Sequence, residues 1–215
     1  MATSARSQAL ADSARDSAMD RPPTRRWAKT DATQQRILDA ATEVFGDRGF
    51  NAATMADVVQ HSGASIGSIY HHFSGKTALF LAIFERVAED VDRRIDAAIR
   101  QGGEPAERLD PRRAFELHVR AYLQAMWENR QAALVLTSSD TPAGFEIARR
   151  NRMTAAFRGW MSVLQLDNSP RAQLLGRILA ATLAESSLMV AACENPDDVP
   201  PIIDATIEWI GRLTR

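Results

Sequence analysis

Apolar residues recur along this chain at helical spacing, and they do so almost from end to end. Ile37, Leu38, Ala41, Val44 and Phe45 fall on one face of a helix that the pattern starts at Asp31, with Gly49 as its natural stop. Thr54-Met-Ala-Asp begins a second helix, because a hydroxyl at the N-cap and a carboxylate three residues on can both satisfy orphan backbone N–H groups. Met55, Val58 and Val59 are predicted to face inward. After the break at Ser62-Gly63 a short third helix turns Ile66, Ile69 and Phe73 to one side. Ser74 then caps a long fourth helix, predicted from Lys76 to about Arg100, on which Leu79, Ile83, Val87, Val91 and Ile95 keep near-helical spacing before Gly102-Gly103.

Further along, Asp110-Pro111, Thr141-Pro142 and Ser169-Pro170 each join a capping side chain to a proline, which suits a first helical turn because the N–H it lacks is unpaired there anyway. Asn195-Pro196 is a candidate fourth start, with the last helix regular from about Ile202. No stretch sustains strand alternation. The predicted fold is all-α: a three-helix N-terminal unit with a helix-turn-helix, then a larger helical domain of five or six helices. The expected division is a tail over 1–30, a helix-turn-helix domain over 31–76, and a helical ligand-binding and dimerisation domain over 77–215.

Composition changes this picture only locally. The 215 residues are 45% hydrophobic and 25% charged with a formal net charge of −1, so any surface for a polyanion must be local. Beyond Met1, residues 1–30 hold only Leu10, Met19 and Trp27 as larger apolar side chains, too few to offset ordering entropy, and are expected to be disordered. Their end is basic, with Arg21, Arg25, Arg26 and Lys29. Two readings stay open for Arg25 and Arg26: an arm that enters a minor groove, or a solvated tail. A single cysteine, Cys193, rules out an internal disulfide framework and a zinc-finger ligand set. No uncharged apolar run reaches bilayer length and no signal-like segment opens the chain, so a cytoplasmic protein without membrane contact is expected.

The chemistry concentrates between residues 54 and 76. Two short helices joined through Ser62-Gly63-Ala64 form the geometry that presents a second helix to a major groove. With Ile66, Ile69 and Phe73 assigned to the core, Ser65, Gly67, Ser68, His71 and His72 project elsewhere. The small Ser65, Gly67 and Ser68 would let backbone approach base edges, and close approach would justify a helical glycine that costs roughly 1 kcal/mol against alanine. Thr54, Tyr70, His71 and Lys76 are placed as phosphate contacts. Catalytic residues, metal ligands and cofactors are not predicted: adjacent His71 and His72 point about 100° apart on a helix, and no metal-ligand spacing, phosphate loop or nucleophile elbow occurs.

The run RILDAATEVFGDRGFNAATMADVVQHSGASIGSIYHHFSGKTALFLAIFE resembles the N-terminal domain of TetR-family transcriptional regulators. The resemblance rests on Phe45 with Gly49-Phe50, Thr54, Ala56-Asp57-Val58, Gly63, Gly67-Ser68-Ile69-Tyr70, Phe73, and Lys76 followed by Leu79. It implies backbone contact by Thr54, Tyr70, His71 and Lys76, and groove contact by Ser65, Gly67 and Ser68. It also implies a two-fold dimer that binds a double-stranded DNA operator and answers a small-molecule effector, as a repressor released from a palindrome. The long segment before residue 31 departs from many relatives, and no arm residue is carried over from them.

For the second domain the residues themselves speak less narrowly. Tyr122, Met126, Trp127, Met153, Phe157 and Trp160 lie on two predicted helices that could enclose an apolar ligand pocket, although a packed core has the same pattern. Leu175, Ile178 and Leu179, with Ile203, Ile207 and Ile210, are assigned to a dimer interface, because their helices are apolar on more than one face. One protomer's own core is the competing explanation.

Overall fold

A computed structural model describes residues 25–101, 110–163, 167 and 169–214, with the side chains of 25–30, Phe157, Trp160, Met161 and Val163 outside what is described. The described residues form nine α-helices and no strand: α1 (Arg25–Arg48), α2 (Met55–Ser62), α3 (Ile66–His72), α4 (Lys76–Gln101), α5 (Pro111–Glu128), α6 (Arg130–Thr137), α7 (Phe145–Val163), α8 (Pro170–Ala192) and α9 (Val199–Leu213). The helix α1 starts six residues before the apolar pattern does. Arg25 and Arg26 therefore stand on its first turn rather than in an extended segment, while residues 1–24 and the Gly102-Gly103 stop lie outside the described residues.

Most boundaries are set by local chemistry. Asp110 and Ser169 accept hydrogen bonds from the N–H groups of Arg113 (3.1 Å) and Ala172 (3.2 Å), as the Asp-Pro and Ser-Pro pairs predict. Asn195 caps only a short 3-10 turn, Pro196–Asp198, by accepting from Asp197 N–H. From there α9 runs on through Pro200 and Pro201, which the first turn tolerates. Thr141-Pro142 does not start a helix. The chain turns once more, Phe145 N–H bonding Pro142 O and Gly144 taking φ +85°, and α7 begins at Phe145. A further break falls at Asn129, whose amide donates to the Asp90 carboxylate at 2.7 Å and to Ala125 O at 2.9 Å, separating α5 from α6.

Two apolar clusters organise the molecule. The front one joins Ile37, Leu38, Ala41, Val44 and Phe45 of α1, Val58 of α2, and Ile69 with Phe73 at α3. It continues through Leu79, Phe80 and Ile83 of α4 into Val135 and Leu136 of α6 and Phe145 of α7. The rear one holds Phe115, Val119 and Leu123 of α5, Leu179, Leu183 and Val190 of α8, and Val199, Ile203 and Ile210 of α9. Tyr122 packs against both. Packing is thus continuous from the helix-turn-helix into the rear helices, with α4 and α5 as the shared wall.

Helix α8 is 23 residues long and apolar enough to cross a membrane by length and composition, but it carries Arg177 and Glu185 and packs on α5, α6, α7 and α9. Its inward side, Leu179, Leu183 and Val190, is core. Its outward side keeps Leu174, Ile178, Leu188 and Met189 exposed, and Trp209 and Leu213 are exposed on α9. This corrects part of the interface assigned from sequence: Leu179, Ile203 and Ile210 are 1–2% exposed and belong to the protomer's own core. Leu175 and Ile207 are half-buried against the same cluster, so of the six only Ile178 stands on the open face. Periodicity cannot separate the two sides of a helix that is apolar on both.

Candidate nucleic-acid interface

The second helix starts with a fully formed capping box. Thr54 Oγ1 accepts from Asp57 N–H at 3.2 Å and donates to Asp57 Oδ2 at 2.7 Å, while Thr54 N–H donates to the same carboxylate oxygen at 2.9 Å. Arg48, the last residue of α1, reaches the other carboxylate oxygen at 3.2 Å. The Thr54 hydroxyl bond, the backbone bond and then Arg48 together hold the Asp57 carboxyl below its ordinary pKa, against a smaller opposing effect of burial. Asp57 is a cap residue, as the sequence suggests, and it fixes where α2 begins relative to α1.

Gly63 ends α2 in the left-handed region, φ +63°, with its N–H on Val59 O at 3.0 Å. Ser62 is buried and its hydroxyl accepts from Ala64 N–H, so the turn is stitched from inside. Ser65 then caps α3 by accepting from Ser68 N–H at 3.1 Å. Sequence reasoning placed Ser65 on the reading face and missed this cap; the signal was present, a serine just ahead of a helical stretch. Its hydroxyl can still donate outward while it accepts.

On α3 the buried side is narrower than the apolar pattern suggests. Ile69 and Phe73 are buried, but Ile66 is 48% exposed, which corrects its assignment to the core. Ser65, Gly67, Tyr70 and His71 are exposed too, with Ser68 half-buried. At Gly67 an added Cβ would meet nothing within 4 Å, and its φ is not positive, so neither packing nor backbone geometry within the protomer calls for glycine there. The N-terminal end of α3 is therefore a surface that the protomer itself leaves uncovered, with the small Ser65 and Gly67 on either side of Ile66.

Lys76 departs most from its expected role. Its ammonium donates to Phe50 O (2.7 Å), Asn51 O (3.0 Å) and Ala53 O (2.8 Å) and sits 4.6 Å from the Phe50 ring centroid. An ammonium has three donors, and all three are taken by the loop that leads into Thr54. The phosphate contact assigned from sequence is thus corrected to an internal clamp: Lys76 closes the start of α4 onto the end of the 49–53 loop. Asp140, from the α6–α7 connection, grips the same loop by accepting from Asn51 N–H (3.0 Å) and from the Asn51 side-chain amide. Gly49, at φ +77°, leaves room for that carboxylate, which any Cβ would strike.

The clamp predicts a specific outcome for Lys76→Met. Three carbonyls lose a charged donor, so stability should fall by about 2 kcal/mol, a drop in Tm of roughly 4–8 °C for a chain of this size. The slope of log affinity against log salt should stay as in the wild type, where a lost phosphate contact would reduce it by about one. Thermal melts and a salt titration of DNA binding separate the two roles.

The rear helices place the predicted pocket residues unevenly. Tyr122 is enclosed, its phenol pushed up by burial while a hydrogen bond with Ser187 of α8 pulls the other way. Met126 packs on the front cluster, whereas Trp127 packs on the rear one with the Arg130 guanidinium 4.4 Å from its ring centroid. Met153 is 44% exposed and does not turn inward with them. The Phe157 and Trp160 side chains lie outside the described residues. Near Tyr122, burial holds the His118 imidazole below its ordinary pKa, with Asp92 of α4 acting against that. Asp92 also accepts from Arg152 of α7 at 2.6 Å, and Arg152 donates to Ala88 O at 3.2 Å, which ties α7 to the middle of α4. Glu185 is exposed on the outward side of α8, away from this group.

Comparison with known proteins agrees with this geometry. Residues 37–83 match the family model described as bacterial regulatory proteins, tetR family. Over 184 residues the chain is 24% identical to the HTH-type transcriptional activator FasR of Mycolicibacterium smegmatis, covering 83% of this chain and 81% of that protein. It is 33% identical to the HTH-type transcriptional regulator BetI of Brucella canis over 76 residues, which is 35% of this chain and 38% of BetI. Among solved structures, the transcriptional regulator FadR of Bacillus subtilis in complex with stearoyl-CoA superposes with a TM-score of 0.65 at 15% identity, over 82% of this chain and 96% of that one. A capped α2, a left-handed glycine turn and an exposed α3, all inside the matched segment, carry the conclusion: residues 37–83 are a helix-turn-helix domain of the TetR type, and the chain is a helix-turn-helix transcriptional regulator.

Proposed function

We propose that this regulator binds a palindromic operator as a two-fold homodimer and acts as a repressor that a small-molecule effector releases. The observation that carries the DNA reading is the uncovered end of α3, where Ser65, Gly67, Ser68, Tyr70 and His71 present small and hydrogen-bonding groups beside a capped α2 N-terminus at Thr54. Ser65, Gly67 and Ser68 meet base edges; Tyr70 and His71 meet phosphates, and Thr54 does so by exchanging its hydroxyl bond to Asp57 for one to the phosphate. Arg25 and Arg26, on the first turn of α1, add positive charge to that end of the chain. The site of action is then the cytoplasm, where the operator is.

The dimer forms on the outward stripe of α8 and α9, with Leu174, Ile178, Leu188, Met189, Trp209 and Leu213 in place of the residues that turned out to be core. A two-fold axis there sets two copies of α3 at successive major grooves, roughly 34 to 36 Å apart. The effector is an apolar molecule with a polar head, seated where α5 faces both clusters, with Tyr122, Met126 and Trp127 along it and His118 as a polar group. Long-chain acyl compounds are the first class to try, because FadR shares the fold and was solved with stearoyl-CoA. Displacing α5 moves α4, which carries Lys76 at the head end, and so alters the separation of the two reading helices.

Selection of the full-length protein on random double-stranded DNA tests this. A palindrome should emerge with half-sites about one helical turn apart, bound with a steep salt dependence and released by an acyl compound. Binding no tighter to the selected sequence than to random DNA would remove the DNA reading. A reporter transcribed from the selected operator, with and without the effector, then tells the sign of control, which matters because FasR is named an activator.

A further inference from the structure

We propose that Ile66 reads the 5-methyl group of one thymine in each operator half-site. This rests on the DNA-binding reading and names a base that it leaves open. Ile66 is the first residue of α3 and is 48% exposed, whereas the other aliphatic residue of that helix, Ile69, is fully buried. Single exposed apolar residues are ordinary on protein surfaces. This one stands at the end of the helix that enters the groove, between Ser65 and Gly67, both exposed.

An isoleucine side chain has no hydrogen-bonding group, so it is blind to the donors and acceptors that distinguish most base edges. The one apolar feature on the major-groove edge of a standard base pair is the thymine methyl. A β-branched side chain also suits the task, since its χ1 is already restricted in a helix and little rotamer freedom is lost on contact. Gly67, where a Cβ would meet nothing in the protomer, keeps the neighbouring position low so that Ile66 stands proud of the helix end. Tyr70, one turn later and 52% exposed, lies on the same side of the helix, where its hydroxyl can hold a flanking phosphate and set the depth of insertion.

The test uses the full-length wild type, Ile66→Ala, and the selected palindrome with each thymine replaced in turn by deoxyuridine, which lacks only the methyl. For wild type, one thymine per half-site should be methyl-sensitive, with binding weakened about fourfold for one half-site and about fifteenfold when both are changed. Ile66→Ala should melt at the wild-type temperature, because the side chain is exposed, should bind the thymine operator more weakly, and should be indifferent to deoxyuridine at that position. If wild type selects no sequence, the DNA-binding reading fails. If it selects one but no thymine is methyl-sensitive, or the sensitivity survives in Ile66→Ala, the assignment of Ile66 is overturned while the DNA-binding reading stands.

Discussion

A chain carrying Ile178→Asp is expected to sediment as a monomer and to lose operator affinity by about two to four orders of magnitude. Ile178 sits on an outward side of α8 with Leu174 one turn before it and Leu188 and Met189 about three turns after it, each exposed in the protomer. Trp209 and Leu213 extend the same apolar surface on α9. A carboxylate at that position would have to shed its water against the apolar side chains of a second copy, which is unfavourable by far more than a typical surface change. Separate half-sites then lose the effective concentration that linkage confers, typically a factor of 10² to 10⁴. Sedimentation equilibrium and a gel-shift titration check both effects. The substitution should leave the helical spectrum intact, because position 178 is exposed. Leu179→Asp, one residue away and 1% exposed, should unfold the chain. A dimer that survives Ile178→Asp would move the interface elsewhere.

The largest stability effect is expected from Phe80→Ala. Phe80 is fully buried where the ends of α1, α4 and α7 meet the loop at Phe50. Its ring lies 5.9 Å from Phe45 of α1, 5.3 Å from Phe50 and 4.9 Å from Phe145 of α7, the last two contacts being edge-to-face. Phe145 in turn meets Phe84, one turn along α4, at 5.3 Å. Truncating a phenylalanine in such a core costs about 3–5 kcal/mol, or roughly 6–20 °C in Tm at this chain length. The consequence reaches function because this cluster, with the Asp140 and Lys76 grips on the 49–53 loop, joins the helix-turn-helix to α4 and α7. Phe80→Leu should recover much of the stability while loosening that coupling. Thermal melts with and without effector compare the two variants, and a Phe80→Ala protein that melted within 2 °C or so of wild type would show the cluster to be dispensable.

How much of this could be read in advance varies from residue to residue. The box at Thr54–Asp57, the caps at Asp110 and Ser169 and the stop at Gly63 were all legible, because each is closed by groups within four residues of one another. Thr141-Pro142 carried the same signature and misled, since Gly144 adds a turn before α7 can begin. The break at Asn129 had no local signature at all; Asp90, from another helix, holds the side chain that makes it. Ile66 was misassigned for a related reason. In a helix of seven residues the buried side is set by what packs against it, and at its first position about half of the side chain is left open.

The division between the two kinds of information follows from the range of the forces. Sequence alone determined that the chain is helical, where most helices begin, that a small-faced helix follows a glycine turn, and that the front segment resembles the TetR family. Those features depend on dihedral preference, capping and a fixed order of residues, which need no distant partner. Tertiary structure alone decided that Lys76 spends its three donors on the carbonyls of Phe50, Asn51 and Ala53, and that Asp140 reaches back to Asn51. It also decided which side of α8 and α9 is core and which is left open. Each of these depends on which surfaces meet when helices pack, and burial is a property of that meeting rather than of the residue.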